Sequence, residues 1–206
     1  MYLYRDEAER LTAEMKQNLN TAVLGAADQL LSFLDDSDWA LIIKLHAALE
    51  AATTQAIVIH IDQDILKGVI ERLPLSDNQT GKGRIAVELG ILSKGQLTFI
   101  RKLSELRNNL VHQIKNIDFN AKSYFRNLDK QQLQSWKNAI TWNNGQVSQV
   151  SLADTLDQNP RMALFLSVFS IITLLIVTDQ EKLVRKKADF LSERTMRELY
   201  GKPYHD

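Results

Sequence analysis

Cysteine is absent from the 206 residues, so disulfides, thiolate metal centres and cysteine nucleophiles are excluded, and a reducing cytoplasm is the compartment that fits. Proline and glycine are scarce, at 3 and 8 residues, while Ala, Leu, Gln, Glu and Lys are plentiful, which favours helix over sheet. No charge of one sign dominates: Lys plus Arg and Asp plus Glu both number 25, so the chain as a whole is neither polyanion nor polycation. The first residues, Met1 to Arg10, are charged by the fifth position and carry no apolar signal core, so export is not expected. Gly-x-Ser-x-Gly, Walker and Rossmann patterns are missing, as is zinc-type spacing of ligands, so neither a metal nor a cofactor is expected.

What is present suits a folded domain, with 45% hydrophobic and 24% charged residues. The expectation is a single all-α domain over 1–206. The charge is unevenly spread: from Met1 to Thr80 there are 13 acidic residues against 6 basic, and from Gly81 to Arg126 there are 9 basic against 3 acidic. A polyanion would meet its complement in that middle segment, although the two segments could equally pair with one another.

Taken in order, Leu11, Met15, Leu19, Val23, Leu30, Leu31 and Leu34 mark an amphipathic helix from Arg5 that Gly25 could divide. Asp35 to Asp38 can cap a second helix reaching Ile61, whose apolar residues run nearly all round, as a core helix requires. His46 and Glu50 on it have the spacing to share a cation, but a third ligand is not evident. A short helix is expected from Asp62 to Arg72. A loop follows from Pro74 to Gly83, in which Gly81-Lys82-Gly83 reads as a flexible link lacking P-loop spacing. Helices are expected at 84–92, 124–128 and 130–140. Asn144-Gly145 and the alternation after it allow a small β-hairpin near 142–152. Asn159-Pro160 is a helix start and Gly201 a stop, giving a long C-terminal helix over 160–200. Its residues Met162 to Thr178 form an uncharged run at the lower edge of bilayer-spanning length. A buried core helix is the preferred reading and a membrane span the lesser one. Beyond Asp179, Leu183, Phe190 or Leu191, and Leu199 mark a narrower stripe beside Arg185-Lys186-Lys187.

The chemistry concentrates between Arg101 and Lys115. Leu103, Leu106, Leu110 and Ile114 recur at helical spacing and should be buried, leaving Arg107, Asn108 and His112 on a polar edge. Asn108 and His112, four apart, stack on one face. An imidazole that exchanges protons near neutral pH, a permanent guanidinium that matches phosphate, and a carboxamide that orients either are a kit for cleaving a phosphodiester without metal. The same residues also suit a plain solvated helix face.

Arg107-Asn108-x-x-x-His112 resembles the RNxxxH form of the Arg-x4-6-His signature of the HEPN superfamily, all-α domains found in prokaryotic RNase toxins and defence proteins. Gly83 to Leu92 followed by Leu97 to His112 is similar to the layout of mannitol operon repressor-like proteins, themselves HEPN-like, and the likeness spans Gly81 to Asn120. It implies a HEPN-like helical bundle that forms a homodimer with a composite cleft, acting as a metal-independent endoribonuclease, a toxin or phage-defence RNase restrained by a cognate antitoxin or other regulatory protein. Arg107 would hold the transition-state charge, His112 would move the proton or hold the phosphate, and Asn108 would position them. Arg101, Lys102, Lys115, Lys82 and Arg84 would hold RNA electrostatically. The alternative from the same likeness is a non-catalytic regulator or antitoxin-like interaction module.

Overall fold

The computed structural model describes residues 3–142 and 151–201, and all regular structure among them is helical. The hairpin expected near 142–152 falls on 143–150, outside the described residues. Ser151 caps a helix that begins at Leu152.

Two long helices frame the molecule: α1, Arg5–Ser32, and α9, Pro160–Tyr200. Glu7 bonds Arg194, and Glu14 meets Lys187 at 2.6 Å. Seven residues forward on α1 match seven back on α9, which is an antiparallel pair in register. Gly25 does not divide α1, because a helical glycine costs only about 1 kcal/mol and the flanking residues continue the ladder. Asn159 caps α9 by accepting from the Met162 amide at 3.2 Å, Pro160 takes the first helical position, and Gly201 closes the other end in the left-handed conformation.

The uncharged run of α9 lies in the core, with Leu164, Val168, Ile171 and Leu175 almost wholly buried. It packs on α2, Asp38–Ile61, whose Leu41, Leu45, Leu49 and Ile57 are equally buried. By length and composition α2 and α9 could each cross a bilayer; here their apolar side chains share a core with each other and with Leu30 of α1. Further along α9 the face turned inward is Ala188, Leu191 and Thr195, while Leu183, Phe190 and Leu199 are exposed. The stripe expected through Leu183, Phe190 and Leu199 therefore lies off the packed face, which Leu191 supplies. Within the basic triplet, Lys186 pairs with Asp62 and Lys187 with Glu14, both across 3 Å or less.

Ser37 caps α2 through the Ala40 amide at 3.3 Å. Asp38, in its first turn, accepts from the Ala121 amide at 2.7 Å and from Arg161, whose guanidinium also reaches the Leu34 and Asp36 carbonyls at 2.7 Å. One carboxylate thus ties the start of α2 to the first turn of α9 and to the start of α6, Ala121–Arg126.

Between these lie α3, Lys67–Arg72; α4, Lys82–Glu88; α5, Lys94–Val111; α7, Lys130–Ile140; and α8, Leu152–Gln158. The segment expected as one helix from Asp62 is broken: Asp62 turns left-handed to end α2, and a 3-10 turn at Asp64–Leu66 precedes α3. The helix expected at 84–92 starts earlier and stops earlier, because Lys82 already takes helical geometry and Gly90 has a positive φ. Gly81-Lys82-Gly83 is not a flexible link. A Cβ at Gly81 would lie 2.5 Å from the Asp77 carbonyl oxygen, and one at Gly83 would lie 2.7 Å from a Leu97 methyl.

Candidate functional site

α5 carries the residues singled out in the sequence. Its start is a capping box: Ser93 Oγ accepts from the Gln96 amide at 3.2 Å, and Gln96 Oε1 accepts from the Ser93 amide at 2.6 Å. Leu97, Ile100, Leu103, Leu106 and Leu110 bury one face against the core. The helix ends at Val111, and His112 is its cap residue, with its amide on the Asn108 carbonyl at 3.3 Å. Two orphan carbonyls of the last turn are satisfied from outside: Trp39 Nε1 donates to Leu110 O at 3.3 Å and Asn116 Nδ2 to Asn109 O at 2.7 Å. The end of α5 is therefore held in place by α2 and by the turn that follows it.

Arg107 is half-buried and donates from Nη1 to Asn108 Oδ1 at 3.1 Å. Asn108 and His112 are exposed one turn apart. The three side chains share one end of the helix, and among the described residues His112 makes no side-chain hydrogen bond. Arg101 and Arg107 each keep a buried Nε–H with no acceptor among the described residues.

The surrounding cations differ from one another. Lys115 is exposed. Lys102 is half-buried with its ammonium 5.5 Å above the Trp136 ring, and Arg101 is half-buried. Arg84 is exposed and donates to Asn78 O at 3.1 Å. Lys82 departs from the expectation of an RNA contact: its side chain is 3% exposed and its Nζ meets Glu50 Oε1 at 2.9 Å, so its charge is neutralised inside the fold. Ile114 departs too. It is 91% exposed, because the helical register stops at Val111 and a 3-10 turn over Ile114–Asp118 carries its side chain outward. With Val111 and Ile117 it forms an apolar rim beside the polar trio.

Sequence reasoning missed an internal extension of this site. His46 Nε2 lies 3.0 Å from Ser104 Oγ in the interface of α2 with α5. Burial holds the His46 imidazole below its ordinary pKa, Glu50 pulls it back up, and the Arg107 guanidinium pushes it down again. Glu50 in turn pairs with Lys82 across 2.9 Å, while Arg107 and Glu50 act on the His46 imidazole through their charges. Ser104, a hydroxyl on the apolar face of α5, gave little signal of it, because its Oγ donates to the Ile100 carbonyl at 2.8 Å and is satisfied within its own helix. Among the described residues no cluster of three or more metal-ligating side chains occurs, at His46 and Glu50 or elsewhere.

Beside Glu50 and Lys82 a groove of about 590 Å³ follows α2, flanked by Lys67 and Glu71 of α3. No protein-family model, curated protein or solved structure matches the chain.

Proposed function

We propose that the chain is a metal-independent endoribonuclease of the HEPN type, working as a homodimer in which the ends of two α5 helices face each other. The observation that carries this reading is Arg107 held to Asn108 at 3.1 Å one turn before His112, at a helix end braced from two sides. The half-buried Arg107 guanidinium is of the kind that matches phosphate oxygens, and exposed Lys115 adds charge with no ion-pair partner among the described residues. The apolar rim of Val111, Ile114 and Ile117 supplies surface that a second copy would bury.

In this reading the His112 imidazole takes the proton of a ribose 2′-hydroxyl. The oxygen attacks phosphorus, the bond to the 5′-oxygen breaks, and the same residue of the second copy protonates the leaving oxygen. Arg107 holds the charge on the non-bridging oxygens, and a 2′,3′-cyclic phosphate and a 5′-hydroxyl result. The protein would then act as a toxin or phage-defence RNase restrained by a regulatory partner.

Incubation with mixed RNA in EDTA tests the reading. The wild type should cleave, and Arg107→Ala and His112→Ala should each lose about 100-fold or more while dimerising as before. Absence of cleavage by an intact dimer refutes it. The exposed Ile114 rim would then favour a non-catalytic regulator or antitoxin-like module that docks on another protein.

A further inference from the structure

Away from α5, helices α1, α2 and α9 leave a partly open cleft of about 350 Å³. Ala22 and Ala26 line it from α1, and Ala48, Ala51 and Ala52 from α2. Alanines at such spacing ordinarily let two helices close up; here the space they free remains as a cavity, of the size at which small organic molecules bind. Asp179 of α9 also lines the cleft. It is 4% exposed, and its Oδ1 has no hydrogen-bond partner among the described residues. Burial pushes its carboxyl up to about 7, so charged and neutral forms coexist near neutral pH.

None of the groups around Asp179 hydrogen-bonds its Oδ1 among the described residues. Among the described residues lining the cleft it is the one ionisable side chain, and Gln29 from α1 and Gln55 from α2 are the other polar ones. His60 of α2 stands beside it, with Nδ1 4.0 Å from Oδ1, beyond hydrogen-bond reach, and that nitrogen is already on the Ala56 carbonyl at 2.9 Å. A metal ion would need further carboxylates or imidazoles that the cleft does not offer.

A cleft lined mostly by alanine and aliphatic side chains, with one carboxyl that has no counter-charge within hydrogen-bond reach, is complementary to a molecule bearing one N–H cation on an apolar body. We propose that this cleft binds a small primary alkylammonium compound, with its ammonium on Asp179 and its chain against Ala22, Ala26 and Ala52. The proposal is independent of the nuclease reading, although α2 lines this cleft and also carries His46 and Glu50.

Calorimetric titration of the full chain with hexylammonium chloride tests it, with 1-hexanol and hexanoate as neutral and anionic analogues. One saturable site is expected, with both analogues at least about tenfold weaker. Because the bound ammonium needs the ionised carboxylate, affinity should rise about tenfold per pH unit up to about 7 and then level. Asp179→Asn should weaken binding by about tenfold or more, and Ala52→Leu or Ala22→Leu should abolish it by filling the cleft. Equal binding of hexanol, unchanged affinity in Asp179→Asn, or no saturation at millimolar amine would each overturn the proposal. Should the filling variants not fold, the analogue series and the pH profile of the wild type decide it.

Discussion

The pair formed by Lys82 and Glu50 predicts an asymmetry between removing one partner and removing the other. Lys82 Nζ sits 2.9 Å from Glu50 Oε1, with side-chain exposures of 3% and 35%. Truncation of one partner in a buried pair costs about 3–5 kcal/mol, since the other charge is left dry. Water reaches Glu50, which lowers the attraction, so Glu50→Ala should cost about 2–3 kcal/mol by stranding the Lys82 ammonium. Lys82→Met keeps the buried stem and removes the charge, and the Glu50 carboxylate left behind can turn to solvent. It should cost no more than about 1 kcal/mol. The double variant should then resemble Lys82→Met alone, a coupling of about 2–3 kcal/mol. Urea denaturation followed by far-UV dichroism measures all four proteins, with equal slopes as the condition for comparing midpoints. If Lys82→Met proves as damaging as Glu50→Ala, the ammonium is not held as a buried charge and the reasoning fails.

Three more expectations can be checked on the same footing. Asp179 has its pKa raised from 3.8 to about 7, so its contribution favours folding below pH 4 and is lost as pH rises to 7, by roughly 4 kcal/mol at most. Asp179→Asn should remove that slope from a stability profile between pH 4 and 7 and leave the variant the more stable protein at pH 8; an unchanged slope would contradict it. Removing the Arg107 charge by Arg107→Ala should raise the His46 pKa and Glu50→Gln should lower it, read from the imidazole proton shifts against pH, and a shift of the opposite sign would refute the charge coupling. Gly81→Ala should destabilise by about 2 kcal/mol or more, because its Cβ would meet Asp77 backbone atoms at 2.5 and 2.6 Å; a thermal midpoint equal to wild type would refute that packing.

The helices most legible in the sequence are those whose ends carry their own chemistry. Asn159-Pro160 and Gly201 delimit α9, and Ser37 delimits α2, because caps act through bonds to neighbours a few residues away. Apolar periodicity placed Leu103, Leu106 and Leu110 inside for a similarly local reason. It failed at Ile114, since periodicity says nothing of where a helix stops, and Trp39 from another helix helps to set that end by binding the Leu110 carbonyl. Lys82 was misread for the same kind of reason: its burial depends on Glu50, 32 positions earlier. The Arg107, Asn108 and His112 trio could be located from spacing alone, whereas its link to His46 needed the packing of α2 on α5.

That packing gives α5 two electrostatic neighbourhoods. On its outer edge Asn108, His112 and Lys115 face solvent, where charge is screened within about 8–10 Å at ordinary salt. On its inner edge Ser104 and the half-buried Arg107 face His46, where screening is weak. Arg107 belongs to both: its Nη1 holds the exposed Asn108 carboxamide while its charge acts on a buried imidazole. A guanidinium fixed at its root by packing and at its tip by a carboxamide loses less freedom on meeting an anion than a lysine on the open surface would.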